Sequence, residues 1–254
     1  MELNYKKLGK GEPIIILHGL FGMLDNWQTL ARKLAENYTV YLIDQRNHGR
    51  SPHMDTHTYT DMASDLKAFI DQELLTEAHI LGHSMGGKTA MQFATYFPEM
   101  VDHLIVVDIA PKVYPRGHDE IFKALQSLRF EEASSRKDVD DQLAEHIDSQ
   151  SIRQFLLKNI VRDKVSGFRL RMNLPIIYQD YEKILALPEW KHRFEGPALF
   201  IRGEKSPYVE QADMEDITAV FPAAKLETVK AAGHWVHAEK PEELLQLLRT
   251  FLIV

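Results

Sequence analysis

The run Leu81-Gly82-His83-Ser84-Met85-Gly86-Gly87 holds the chemistry most visible in this chain, a serine between glycines in a G-x-S-x-G pattern. The apolar run Ala78 to Leu81 precedes it. Behind it Ala90, Phe93, Ala94, Phe97 and Val101 fall at i, i+3, i+4, i+7 and i+11, an apolar helical face closed at Pro98. A serine at a sharp strand-to-helix turn is a nucleophile elbow: the strained backbone holds the hydroxyl above a sheet and demands small neighbours. In an arbitrary loop the same residues would be an ordinary glycine turn, and the flanking strand and helix are what favour the nucleophile. A serine attacks a carbonyl efficiently only with a base to take its proton, an acid to orient that base, and donors for the oxyanion.

Twelve histidines compete for the role of base. His53 and His57 stand at i,i+4, but Pro52 and the turn-forming Asp55-Thr56 oppose a helix, and no helical carboxylate lies between them, so a solvated loop is expected rather than a zinc site. His18, His48 and His83 belong to glycine-containing turns, while His79, His103, His118, His146 and His192 have no visible partners and are expected at element ends or on the surface. Ala232-Gly233-His234-Trp235-Val236-His237 remains, a glycine-hinged loop after an apolar strand (Leu226 to Val229) and before a final helix. That placement makes His234 the base and His237 a packed structural histidine, in the chain order serine, acid, histidine.

The usual carrier of the acid is the loop after the seventh strand, here Gly203-Glu204-Lys205-Ser206, where Ser206 occupies the slot that often holds aspartate. The strand 103–107 ends in Asp108-Ile109-Ala110-Pro111, and a carboxylate there reaches the same imidazole from the side. Asp108 is the assigned acid, with Glu204 the alternative and a plain turn residue the non-catalytic reading. For the oxyanion, Pro13 to Leu17 ends in His18-Gly19-Leu20-Phe21-Gly22, so the Leu20 and Met85 amides are expected to donate, with Phe21 as the fallback for the first. Phe21, Tyr178 and Trp235 are the candidate substrate contacts.

These residues need a scaffold, and the patterns supply one. Strands at about 13–17, 39–43, 78–82, 103–107, 197–202 and 225–230 alternate with helices near 26–36, 59–74, 86–97, 208–220 and 241–252. Such alternation predicts an α/β fold with a mostly parallel central sheet flanked by helices. Charged helical stretches (Asp119 to Arg129, Asp138 to Asp148, Ile152 to Val161, Pro175 to Ala186) interrupt it. The expected organisation is a core of residues 1–110 and 194–254, with a helical cap or lid of 111–193 inserted between strands six and seven, over the carboxyl end of the sheet. The apolar residues Phe122, Phe155, Leu156, Ile160, Ile177 and Tyr178 would line an acyl pocket there or form the lid's own core.

His18-Gly-Leu-Phe-Gly22 with Asp25-Asn26, Asp44-Gln-Arg-Asn-His-Gly-Arg-Ser51, Gly82-His-Ser-Met-Gly-Gly-Lys88, Asp108-Ile-Ala-Pro111, Ser206-Pro-Tyr-Val209 and Gly233-His-Trp-Val-His-Ala-Glu-Lys-Pro241 follow one another in the chain. In this order they resemble the α/β-hydrolase superfamily over nearly the whole length and, within it, the small YbfF-like carboxylesterases. The resemblance implies an acid at the end of the sixth strand, which supports Asp108, and accounts for Asn47 where broader relatives carry glycine. It implies hydrolysis of carboxylic esters of small acyl groups through an acyl-enzyme. Thioesterase, lactonase, C–C hydrolase and cofactor-free haloperoxidase chemistry use the same triad, whereas dehalogenases and epoxide hydrolases need aspartate where Ser84 stands. A non-catalytic small-molecule-binding module on this fold is the alternative from another class, and the intact serine, histidine and acid set argues against it.

Composition sets the outer limits. The 254 residues, 44% hydrophobic, can bury a substantial core as one domain with an insertion. No run reaches the roughly eighteen apolar residues of a membrane span, and Met1-Glu2-Leu3-Asn4-Tyr5-Lys6 lacks a signal-peptide layout. Zero cysteines exclude disulfides and fit the cytoplasm. A net charge of −7 argues against nucleic acid, and no nucleotide-binding glycine motif or metal set implies a cofactor. The partner left is a small-molecule ester or acyl-thioester. Nothing in the sequence fixes the oligomeric state.

Overall fold

The computed structural model describes residues 1–165 and 167–252. Five strands come first, β1 (Tyr5–Leu8), β2 (Glu12–Leu17), β3 (Tyr38–Ile43), β4 (Ala78–His83) and β5 (Val101–Val107). Between them run α1 (Gln28–Leu34), α2 (Tyr59–Gln72) and α3 (Met85–Tyr96). An insertion follows, with α4 (Asp119–Gln126), α5 (Arg136–Ala144), α6 (Gln150–Leu157), the hairpin β6 (Ile160–Asp163) and β7 (Gly167–Leu170), α7 (Leu174–Gln179) and α8 (Tyr181–Leu185). The chain then returns through β8 (Ala198–Gly203), α9 (Met214–Val220), β9 (Ala224–Val229), α10 (Val236–Glu239) and α11 (Pro241–Leu252). β5 and β8 are the strands counted sixth and seventh above.

Seven strands form one sheet in the order β1-β3-β2-β4-β5-β8-β9, parallel except for the antiparallel edge strand β1. Period-two alternation divides the core cleanly. Ile15, Leu17, Ile80, Leu104 and Val106 face α2, α3 and α9, while Ile14, Ile16, Leu81, Ile105 and Val107 face α1 and α11. Because both faces are covered, the inner strands read as continuous apolar runs, which is why they were easy to find in sequence. Among the described residues no helix is long and apolar enough to cross a membrane.

The differences from the sequence expectations have physical causes. β1 was not expected, and its four residues are too short and too polar to show alternation. Ile160 and Val161, assigned to a helix, instead begin the β6–β7 hairpin, whose antiparallel register pairs Ile160 with Leu170. The helix expected over Pro175 to Ala186 is broken in two at Asp180, whose buried carboxylate accepts the His57 amide at 2.7 Å. The elements between β5 and β8 pack in one apolar cluster with Phe21, Tyr59, Met62 and Met85, in which Phe122, Leu156, Ile160 and Ile177 are fully buried.

Candidate active site

The site grows from the carboxyl end of β4. Ser84 follows that strand and precedes α3 with φ 53° and ψ −121°, left-handed backbone that a non-glycine residue adopts only under constraint. The constraint is local. The Ser84 amide extends the sheet by donating to Val107 O at 3.0 Å, and its carbonyl accepts from the Gly87 and Lys88 amides at 2.8 and 3.1 Å. A Cβ on Gly82 would sit 2.1 Å from Gly86 O, and one on Gly86 2.4 Å from Leu17 O, so this turn admits no side chain at either place.

Asp108, directly after β5, also has a positive φ of 53° and is fully buried. Its carboxylate is held from three sides. Gly203 N donates to Oδ1 at 2.8 Å, the Ser206 hydroxyl donates to Oδ2, and His234 Nδ1 lies 2.7 Å from Oδ2. Because a carboxylate only accepts, this contact puts the His234 proton on Nδ1 and leaves Nε2 with its lone pair. The ring of His234 stacks on Tyr208 at 4.0 Å and 21°, and its carbonyl accepts from His83 Nε2 at 2.8 Å. Glu204, the alternative acid, points elsewhere, its carboxylate accepting the Ala231 amide at 2.8 Å on the surface. Ser206, on the loop after β8, supports a carboxylate that comes from the end of the neighbouring strand β5.

Phe21 N already donates to His48 Nε2 at 3.2 Å, whereas Leu20 N has no acceptor among the described residues. Met85 N stands at the first position of α3, where helix geometry gives an amide no partner. Gly19 packs so near that a Cβ there would lie 3.2 Å from Ser84 Cβ. Leu20 lines both cavities that Ser84 lines, and Met85 follows Ser84 directly.

Two cavities open on Ser84. One, of about 220 Å3, is lined by Leu20, Phe21, Trp27, Phe155, Tyr208, His234 and Trp235 among others. The other, of about 30 Å3, lies over Met85, Lys88, Tyr59 and Tyr114. Of the expected substrate contacts, Phe21 and Trp235 line the larger cavity and Tyr178 lines neither. Tyr178 is 43% exposed and lies edge-on to Phe122 at 5.0 Å. Of the six apolar insertion residues named from sequence, Phe155 alone borders a cavity, because the others pack inward or, like Tyr178, onto the insertion's outer surface.

Two polar residues of the site were missed. His118, expected at an element end or on the surface, caps the start of α4 and lines both cavities. The Tyr181 hydroxyl accepts the Gly117 and His118 amides at 3.3 and 3.2 Å, so its own hydrogen goes to His118 Nδ1 at 2.7 Å. Burial holds the His118 pKa down at about 4, which makes the ring neutral with its hydrogen on Nε2. No local pattern announced this, since its partner lies 63 residues away. Lys88, one helical turn beyond Ser84, is 1% exposed and donates to the carbonyls of Lys112, Leu185 and Ala186 at 2.9, 3.1 and 2.6 Å. Burial pushes its pKa down to about 7, but three carbonyl acceptors match the three hydrogens of an ammonium group, which is the form the geometry favours. Its signal was the one charged residue on an otherwise uncharged helix.

Other histidines pack the floor of the site. His57, expected on a solvated loop, is fully buried with Nε2 3.4 Å from Met85 Sδ, while His53 is exposed. His237 stacks on Trp27 at 4.2 Å. Asn47 has φ 63°, a conformation asparagine tolerates better than most side chains.

Comparison with known proteins agrees with this architecture. A family model described as the alpha/beta hydrolase fold matches residues 12–241. The chain is 40% identical over 250 residues to the sn-1-specific diacylglycerol lipase ABHD11 of Xenopus laevis, spanning 95% of this chain and 80% of that protein. It is 39% identical over 244 residues to Esterase YbfF of Escherichia coli K12, spanning 94% and 92%. A solved structure titled "Marine microorganism esterase" superposes with a TM-score of 0.96 at 44% identity, over 98% of this chain and 99% of that one. The chain thus belongs to the alpha/beta hydrolase fold family and, within it, to the YbfF-like esterases.

Proposed function

We propose that this ester hydrolase works through a covalent acyl-enzyme formed on Ser84. Ser84 Oγ attacks the ester carbonyl as His234 Nε2 takes its proton, and the alcohol leaves with that proton. A water then deprotonated by His234 attacks the acyl-Ser84 carbonyl, releasing the acid and restoring the serine. Asp108 holds the imidazole in the required tautomer and stabilises its charged form, while the Leu20 and Met85 amides hold the oxyanion. The observation that carries this reading is the 2.7 Å contact of Asp108 Oδ2 with His234 Nδ1, with His234 and Ser84 opening on one cavity.

Carboxylic esters of small acyl groups are the proposed substrates. The cavity of about 220 Å3 falls below the ~300–1,000 Å3 of drug-sized ligand pockets. Residues 111–193 act as a cap over the site, contributing Phe155 and a neutral donor, His118 Nε2–H, that faces bound substrate. A cysteine-free chain suits a reducing compartment such as the cytoplasm.

The test is a model ester series from acetyl to palmitoyl, run beside the matching acyl-CoA series, with fluorophosphonate labelling. Turnover should peak at short oxygen esters, and Ser84→Ala should remain folded, lose labelling and lose activity by roughly a thousandfold or more. Near-normal turnover by purified Ser84→Ala sinks the mechanism. A maximum at long acyl chains sinks the substrate class alone.

A further inference from the structure

At the end of the sheet opposite Ser84, three potential ligands that the reaction does not use come together. They are His79, the second residue of β4, and Asp102 and His103, the second and third residues of β5. His79 Nδ1 lies 3.1 Å from Asp102 Oδ2, and His103 Nδ1 lies 3.3 Å from the same oxygen. One ligand atom from each of the three residues falls within 4.8 Å of the other two. His79 is 2% exposed, yet neither of its ring nitrogens makes a hydrogen bond in the structure, and neither does His103 Nδ1. Buried polar atoms are paired in the great majority of cases, so two adjacent imidazoles with orphaned nitrogens call for a partner.

The backbone is shaped to bring them together. From the pair Ala78/Val101 to the pair Ile80/Leu104, β4 advances two residues and β5 advances three. The extra residue is a bulge. It breaks the alternation that would send Asp102 and His103 to opposite faces, and both now reach His79.

We propose that His79 Nδ1, His103 Nδ1 and Asp102 Oδ2 form a structural site for a divalent ion of borderline softness, with zinc as the fitting member. Nitrogen and oxygen ligands about 2.0–2.1 Å from a tetrahedral zinc lie roughly 3.3 Å apart, which Asp102 Oδ2 matches at 3.1 and 3.3 Å from the two imidazoles, while the imidazoles themselves need only rotate to that spacing as the ion binds. Glu12 Oε2 lies 3.5 Å from His79 Nε2, near enough to swing in and accept that hydrogen as an outer carboxylate once an ion occupies Nδ1. The half-exposed Asp102 leaves water access to a fourth position. The ion joins the amino ends of β4 and β5 to that of β2. It lies about 16 Å from the nucleophile, by five residues of strand at ~3.3 Å each, so it takes no part in ester hydrolysis.

The test uses the full chain, stripped with chelator and dialysed against Zn2+ alone. The expected result is one tightly bound zinc per chain, a raised thermal midpoint, and no such effect from Mg2+ at the same concentration. With free zinc at a hundred times Kd, the folding equilibrium should shift about a hundredfold. Asp102→Asn and His103→Gln should each weaken zinc binding tenfold or more and retain ester turnover, whereas His53→Gln, at an exposed histidine elsewhere, should bind as the parent does. Equal zinc binding by parent, Asp102→Asn and His103→Gln would show adventitious surface binding and overturn the proposal. If either variant fails to fold, Co2+ added to the parent chain decides. Visible bands of four-coordinate cobalt support the site, and their absence overturns it.

Discussion

The residue that carries the proposed role of triad acid is Asp108. Its buried carboxylate accepts from the Gly203 amide, the Ser206 hydroxyl and His234 Nδ1. Asp108→Asn replaces one accepting oxygen with an NH2 group that must face a donor or force His234 into the other tautomer. Activity should fall by roughly ten-thousandfold in kcat, as for triad acids in general. Glu204→Gln should be mild, because Glu204 accepts only the Ala231 amide at the surface. The two variants are to be compared on one ester at one pH, with folding checked by circular dichroism. Abolished turnover in Glu204→Gln with activity kept in Asp108→Asn would move the acid to the loop after β8.

At the scale of elements, the insertion divides into parts that face the site and parts that do not. α4 contributes Ile121 to the larger cavity, with His118 at its cap, and α6 contributes Ile152 and Phe155. Among the described residues, α5 and the strands β6 and β7 contribute none to either cavity. Lys88 ties both ends of the insertion, at Lys112 O and at Leu185 O and Ala186 O, to the helix that carries the nucleophile. A phosphonate adduct on Ser84 should therefore slow hydrogen exchange in α4 and α6 while leaving α5 and the hairpin near their free rates. Identical exchange in α4 and α6 with and without adduct would remove the cap role from the insertion.

Across the whole molecule, the unusual quantity is buried neutral imidazole. His18, His48, His57, His83 and His237 all have pKa values lowered chiefly by burial, His57 and His237 to about 3. An unfolded chain protonates the same rings near pH 6.5, so below that pH the unfolded state binds protons the folded state refuses. Stability is complete above pH ~6.5 and is lost as pH falls from there toward about 3, by up to ~1.4 kcal/mol per pH unit for each histidine. Thermal midpoints should be level from pH 7 to 8 and fall steeply below about 6. A level midpoint down to pH 4.5 would mean these rings accept protons in the folded state.

The sequence by itself determined what depends on contacts between near neighbours. Strand and helix periodicity marked six of the seven sheet strands, and the glycines around Ser84 marked a turn whose backbone cannot carry side chains. Loop position after the last strand marked His234. Tertiary structure decided whatever depends on which distant groups meet. The Phe21 amide is engaged by His48, 27 residues away, and the Glu204 carboxylate by the Ala231 amide. His118 enters the site because Tyr181 aims its proton, and Tyr178 stays outside because the insertion turns it to solvent. The bulge that gathers His79, Asp102 and His103 left no trace in the pattern, since one extra residue in a strand is visible only against its partner strand.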